Sequence, residues 1–245
     1  MTTEPGKSKL SLGKIRPGIS LIGAYIIVIF IGALILLTPF CAQNDISLVD
    51  ALFTSASAIT ITGLITVNTA AAWTPFGKAV ILVLIQLGAI GIMSLTTVSF
   101  LFASRASLSL EALYFQELAG VQKLTNIKAL LGKIVMVTLL IEAAGAIAIF
   151  PVYISDLSFL DAVGYSIFHA ISAFCSAGFV LLPDGYVAHA SSTYFLGINM
   201  GLIILGGLGF LVLVELWDRA RGHAIRPRFS LHLRVVVMMS TVLLV

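Results

Sequence analysis

Gly18 to Thr38, reading GISLIGAYIIVIFIGALILLT, contains no charged residue. A bilayer's hydrocarbon core takes about 20 mainly apolar residues of helix to cross. Such a run has lipid as its natural solvent. Further runs go from about Thr74 to Ala103, Ile127 to Phe150 and Thr193 to Trp217, and another begins near Leu233. Pro39 and Pro151 are read as stops for the first and third. The composition agrees, at 59% hydrophobic and 10% charged with a mean hydropathy of +1.10, against about 25% charged in a soluble domain. The expected fold class is an all-α integral membrane protein.

Two apolar segments are too short to cross. Val49–Thr60 reads VDALFTSASAIT and Leu160–Phe174 reads LDAVGYSIFHAISAF. Segments of this length are buried or re-entrant helices. Each opens near an Asp, Asp50 or Asp161, read as a cap and as a favourable charge at a helix N-terminus.

Charge sets the sidedness. Lys7, Lys9, Lys14 and Arg16 precede the first run. Arg105, Lys123, Lys128 and Lys133 lie between the second and third, and Arg219, Arg221, Arg226, Arg228 and Arg234 follow the fourth. All 14 basic residues except Lys78 thus fall on one side, expected to be the cytoplasm. Asp45, Asp50, Asp156, Asp161 and Asp184 fall on the other, where they would concentrate cations. The basic N-terminus precedes a run too long for a signal core and without a small-residue cleavage pattern, so that run is read as a retained span. The net charge of +3 is spread among segments bordering apolar runs, so no nucleic-acid partner is expected. Cys41 and Cys175 match no zinc or redox spacing.

The chain repeats itself. With Gly63 set on Gly178, Phe53, Ser57 and Ala58 fall on Phe168, Ser172 and Ala173. LGAIG (Leu87–Gly91) further matches LGGLG (Leu205–Gly209). The unit is span, short helix, loop, span, in two parallel copies. A short helix aims its partly negative C-terminus at the membrane centre, where it favours a cation. A returning extended loop can replace an ion's hydration shell with carbonyls. Bare backbone at that depth is tolerated only inside protein or against water. The candidate loops are Thr60-Ile61-Thr62-Gly63 and Cys175-Ser176-Ala177-Gly178, with the glycines supplying dihedrals that aim successive carbonyls at one axis.

At VDALFTSASAITITGL, LIQLGAIGIMSL and SIFHAISAFCSAGF followed by LPDG, the chain resembles the Trk/Ktr/HKT superfamily of potassium transporters, most closely KtrB-type bacterial pore subunits. The resemblance runs from about residue 15 to the end. It implies potassium, or sodium-coupled potassium, uptake through a pore in the plasma (inner) membrane, with no enzymatic activity. The transported ion, K+ or Na+, would sit at filter carbonyls of Thr60, Ile61, Thr62, Gly63, Cys175, Ser176, Ala177 and Gly178. No covalent cofactor and no transition-metal site are implied. Glycine at 63, where sodium-transporting plant relatives have serine, leans toward potassium. The implied partners are lipid, a second copy in a homodimer, and a cytosolic nucleotide-binding regulatory ring of the KtrA/TrkA kind.

The expected organisation is a cytoplasmic N-terminus (1–17), a first repeat (18–104), a cytoplasmic linker (105–126), a second repeat (127–217), a second linker (218–232) and the start of a third repeat (233–245). The family carries four repeats. A ring around an ion therefore requires either more chain, the favoured reading, or a second chain. The alternative is a degenerate or half-length non-conducting membrane scaffold. A membrane enzyme would need convergent ionisable groups, and the spans offer only Glu142 and, near an end, Glu215.

Several features keep two readings. Glu142, inside the third run, is a functional acid or a structural hydrogen-bond partner. His169 braces a neighbouring helix or senses protons. Glycines 88, 91, 206, 207 and 209 allow close helix packing or form a hinge. Arg105–Thr125 lies on the membrane surface, contacts a regulatory ring, or simply links.

Overall fold

The computed structural model describes residues 17–106, 127–182, 185–189, 191–222 and 229–244. The basic N-terminal stretch, nearly all of the 105–126 linker, and Asp184, Arg226 and Arg228 lie outside the described residues.

Uncharged apolar sequence produces long helices. α1, Pro17–Leu36, has 20 residues, about 30 Å at 1.5 Å per residue. α4, Pro75–Ala106, has 32 residues. α5, Ile127–Tyr153, has 27. By length and composition, Leu130–Tyr153 within α5 qualifies as a straight span among the described residues. Ile22–Leu36 and Pro75–Gly91 are shorter apolar stretches of α1 and α4. Between them lie α2, Leu48–Ile59, α3, Thr69–Ala72, and α6, Phe159–Phe174. No strand occurs among the described residues, only an isolated antiparallel bridge between Ala42 and Trp73.

Two expectations are corrected. Pro151 does not stop the third run, because α5 continues through it to Tyr153. In the last turn the missing N–H forfeits a single hydrogen bond, and Ile154 N–H still donates to Phe150 O at 3.1 Å. The fourth run is not one helix. α7, Thr193–Gly207, and α8, Phe210–Ala220, meet at 101°. Gly209 makes the corner with φ +85°, a left-handed conformation that glycine adopts without steric cost. α9, Leu231–Leu244, follows.

Each copy of the repeat builds its own core. In the first, α2 packs on α1 and α4 around Leu36, Trp73, Ile81 and Ile85. In the second, α6 packs on α5 and α7 around Ile134, Ile149, Phe195 and Leu202, and α8 folds back on α5. Lys133 Nζ pairs with Asp218 there at 2.9 Å. Phe168, Ile171, Phe179 and Leu181 of the second copy enter the core of the first. Outside these cores, Ile22, Ile26, Phe30 and Leu34 run exposed along α1. Met136, Leu140 and Ile147 do so on α5, and Met200 and Ile203 on α7. An apolar exterior this extensive needs a covering, and lipid supplies it.

Candidate functional site

The two short helices begin alike. Ser47 caps α2 and Ser158 caps α6, each accepting from the backbone N–H of the Asp three residues on. The same hydroxyls donate to Asp50 Oδ2 at 2.5 Å and Asp161 Oδ2 at 2.7 Å. The caps are therefore the serines, and Asp50 and Asp161 stand in the first turn. The reason is the Ser-x-x-Asp spacing, which lets both groups serve reciprocally. Hydrogen bonds from Ser47 and then Thr66 hold the exposed Asp50 carboxyl below its ordinary range, so it stays charged at the helix start.

The helices also end alike, 115 residues apart in every detail. Thr60 N–H donates to Ala56 O at 2.9 Å and Cys175 N–H to Ile171 O at 2.9 Å. Thr62 N–H donates back to Ser57 O at 2.9 Å and Ala177 N–H to Ser172 O at 2.8 Å. Ile61 and Ser176 take φ +56° and +55°, and Gly63 and Gly178 take +78° and +74°. A β-branched Ile in this region is a genuine outlier. Its recurrence at the matching place in both copies makes it part of the design of the loop.

The loops come together. A Cβ on Gly63 would stand 2.6 Å from Ala177 O and 3.1 Å from Gly178 Cα. A Cβ on Gly178 would stand 3.2 Å from Gly63 Cα. The eight candidate residues thus form two adjoining hairpin-like strips. Thr60, Thr62, Ser176 and Gly178 are exposed in them, and Ala177 is buried.

Several supports were not visible in the motif. Gly88 of α4 abuts the carbonyl of Ile59, the last residue of α2, so closely that a Cβ would overlap it. Gly206 of α7 stands in the same relation to Phe174 O at the end of α6. Ser172 Oγ donates to Phe179 O at 2.7 Å, tying the outgoing strand to its helix. His169, fully buried, bonds Tyr165 O through Nδ1 at 2.8 Å and accepts Leu181 N–H at Nε2, 3.2 Å away. Both bonds together fix the neutral tautomer with its proton on Nδ1. His169 is therefore a brace between α6 and the returning strand. Glu142 accepts from Gln86 of α4 and from Cys175 Sγ at 3.7 Å.

The connections between α1, α3 and α4 are clamped by backbone. Thr74 N–H donates to Cys41 O at 2.8 Å and Gln43 N–H to Ala72 O at 3.0 Å. Cys41 and Cys175 are free thiols. Among the described residues no three His, Cys, Asp or Glu side chains converge to hold a metal. What the strips offer instead is oxygen from backbone and hydroxyl groups, the ligand type that suits alkali cations.

Comparison with known proteins agrees with this chemistry. Residues 12–244 match the TrkH family, described as a cation transport protein. The chain is 33% identical over 225 residues to the potassium/sodium uptake protein NtpJ of Enterococcus hirae, covering 91% of the chain and 49% of that protein. It is 35% identical over 190 residues to the Ktr system potassium uptake protein B of Vibrio alginolyticus, covering 77% and 42%. Against the Bacillus subtilis protein of the same name it is 31% identical over 221 residues, covering 90% and 48%. The chain spans about half the length of the curated relatives it matches. These names belong to transport proteins, a non-enzymatic class. With nearly its whole length inside the family match, the chain belongs to the TrkH family of integral membrane cation transport proteins.

Proposed function

We propose that the chain supplies two quarters of a potassium-selective filter in a cation uptake pore. The observation that carries this reading is the pair of loops with matching backbone seated against each other at Gly63 and Gly178. Positive φ at Ile61 and Gly63 alternates with negative φ at Thr60, −89°, and at Thr62. Along an extended chain, successive residues of one hand turn their carbonyls to opposite sides. Alternating hands turn them to the same side. A row of carbonyls replaces the shell of water around a potassium ion. The C-termini of α2 and α6 add partial negative charge at the inner end of the row.

The names of the relatives extend the reading to potassium, with sodium as a co-transported or competing ion. They are also named as parts of a system, which supports a multi-component assembly. Within it we place a second copy of the pore subunit and a nucleotide-binding regulatory ring on the cytoplasmic side. The bias of basic residues supports a cytoplasmic N-terminus, with both short helices dipping from the outside.

The test is uptake in cells lacking other potassium transporters, using the transporter that contains this chain. Potassium should enter in preference to sodium. Gly63→Ser should lower that preference, because a serine at φ +78° with its Cβ against Ala177 O must shift the backbone that binds the ion. Transport of no alkali cation would sink the proposal.

A further inference from the structure

The two loops share a backbone but are braced differently. Thr60 Oγ1 donates to Ala56 O of its own helix at 2.7 Å and bonds Thr62 Oγ1 at 2.7 Å. The first loop is therefore held from within. Its counterpart at the matching position, Cys175, reaches outward to Glu142 of α5. Glu142 is 3% exposed, and its other oxygen takes the Gln86 amide of α4, a helix of the first copy.

A buried carboxyl group is costly without hydrogen-bond partners. Here each oxygen has one. The ion pairs among the described residues, Lys133–Asp218 and Arg219–Glu215, do not include it. Gln86 Oε1 is buried without a partner. The chain of contact therefore runs from the first copy, through Gln86 and Glu142, to the first residue of the second loop.

We infer that Glu142 is a positioning residue for ion selectivity: gripped by Gln86, it holds Cys175 and so sets the backbone of the second loop. This rests on the filter reading of the loops. It explains why an acid is kept at membrane depth without a basic partner, where burial is otherwise unfavourable. It also gives the second loop a side-chain tie to the other copy that the first loop, held through Thr60 and Thr62, does not share.

The experiment measures the ratio of potassium to sodium uptake, which does not depend on how much protein reaches the membrane. The transporter containing this chain is compared as wild type, Gln86→Ala, Cys175→Ala, Cys175→Ser and the double variant Gln86→Ala with Cys175→Ala. Each single alanine variant is expected to lower the ratio about threefold or more, the size of coupling seen for contacting residues. The double variant should be no worse than the stronger single one, since both act through Glu142. Cys175→Ser keeps a donor and should restore most of what Cys175→Ala loses. Single variants within about twofold of wild type, or losses that multiply in the double variant, would overturn the inference while leaving the filter reading standing. A wild type that moves no alkali cation takes both down.

Discussion

Gly63 and Gly178 occupy equivalent positions but are not equally replaceable. Both hold left-handed backbone, which costs an ordinary residue about 1–2 kcal/mol. At Gly63 a Cβ would also meet Ala177 O at 2.6 Å, whereas at Gly178 the nearest atom is 3.2 Å away. A backbone atom has nowhere cheap to go. Gly63→Ala is therefore expected to lower the thermal midpoint and the potassium preference more than Gly178→Ala, by about 1 kcal/mol or more beyond the shared conformational cost. Thermal unfolding of the purified transporter, set beside uptake of both ions, checks the order. An equal loss in both would mean that close approach of the loops contributes nothing. The glycines themselves were legible in the sequence, from their matching places in the two copies, whereas the positive φ at Ile61 and Ser176 was not. The roles of Gln86 and Ser172 and the Leu181 partner of His169 were not, because each works through a contact across sequence separations of 7 to 56 residues.

At the scale of elements, the short helices and their loops could be read from segment length and from the repeat. Their caps could have been read as well, from Ser-x-x-Asp at Ser47 and Ser158. The continuation of α5 through Pro151 and the break in the fourth run could not. A proline in a last turn costs little, and the corner at Gly209 looks in sequence like its neighbours Gly206 and Gly207. The structure separates those three. Gly206 lies against Phe174 O, Gly207 meets nothing within 4 Å, and Gly209 alone needs positive φ. Gly206→Ala should therefore destabilise by about 1–3 kcal/mol. Gly207→Ala should be neutral or stabilising by up to about 1 kcal/mol, from helix propensity. Denaturation of the two variants side by side reads this directly. Comparable losses would show that packing against α6 is not what the glycine serves.

Across the described residues, the recurrence of short helix and loop was legible, and the seam between the copies was not. Lys78 Nζ sits 5.9 Å over the Tyr165 ring, Gln86 meets Glu142, and the loop glycines touch. No local pattern encodes such a seam. The charge bias yields an expectation at this scale. An epitope fused ahead of Met1 should be reached by antibody only after the cells are permeabilised. One inserted at the 3-10 turn Gly185–His189 should be reached in intact cells. The reverse pattern would invert the proposed direction of the filter.

At Gly88 and Gly206 the spans meet the ends of the short helices backbone to backbone. No side chain lies between, so there are no rotamers to absorb a displacement. A sideways shift of α4 or α7 would reach the last carbonyl beneath each loop with nothing soft in between. In the proposed filter the spans would then act like a frame glued to a gauge, and what moves them would also change the distances an ion has to fit.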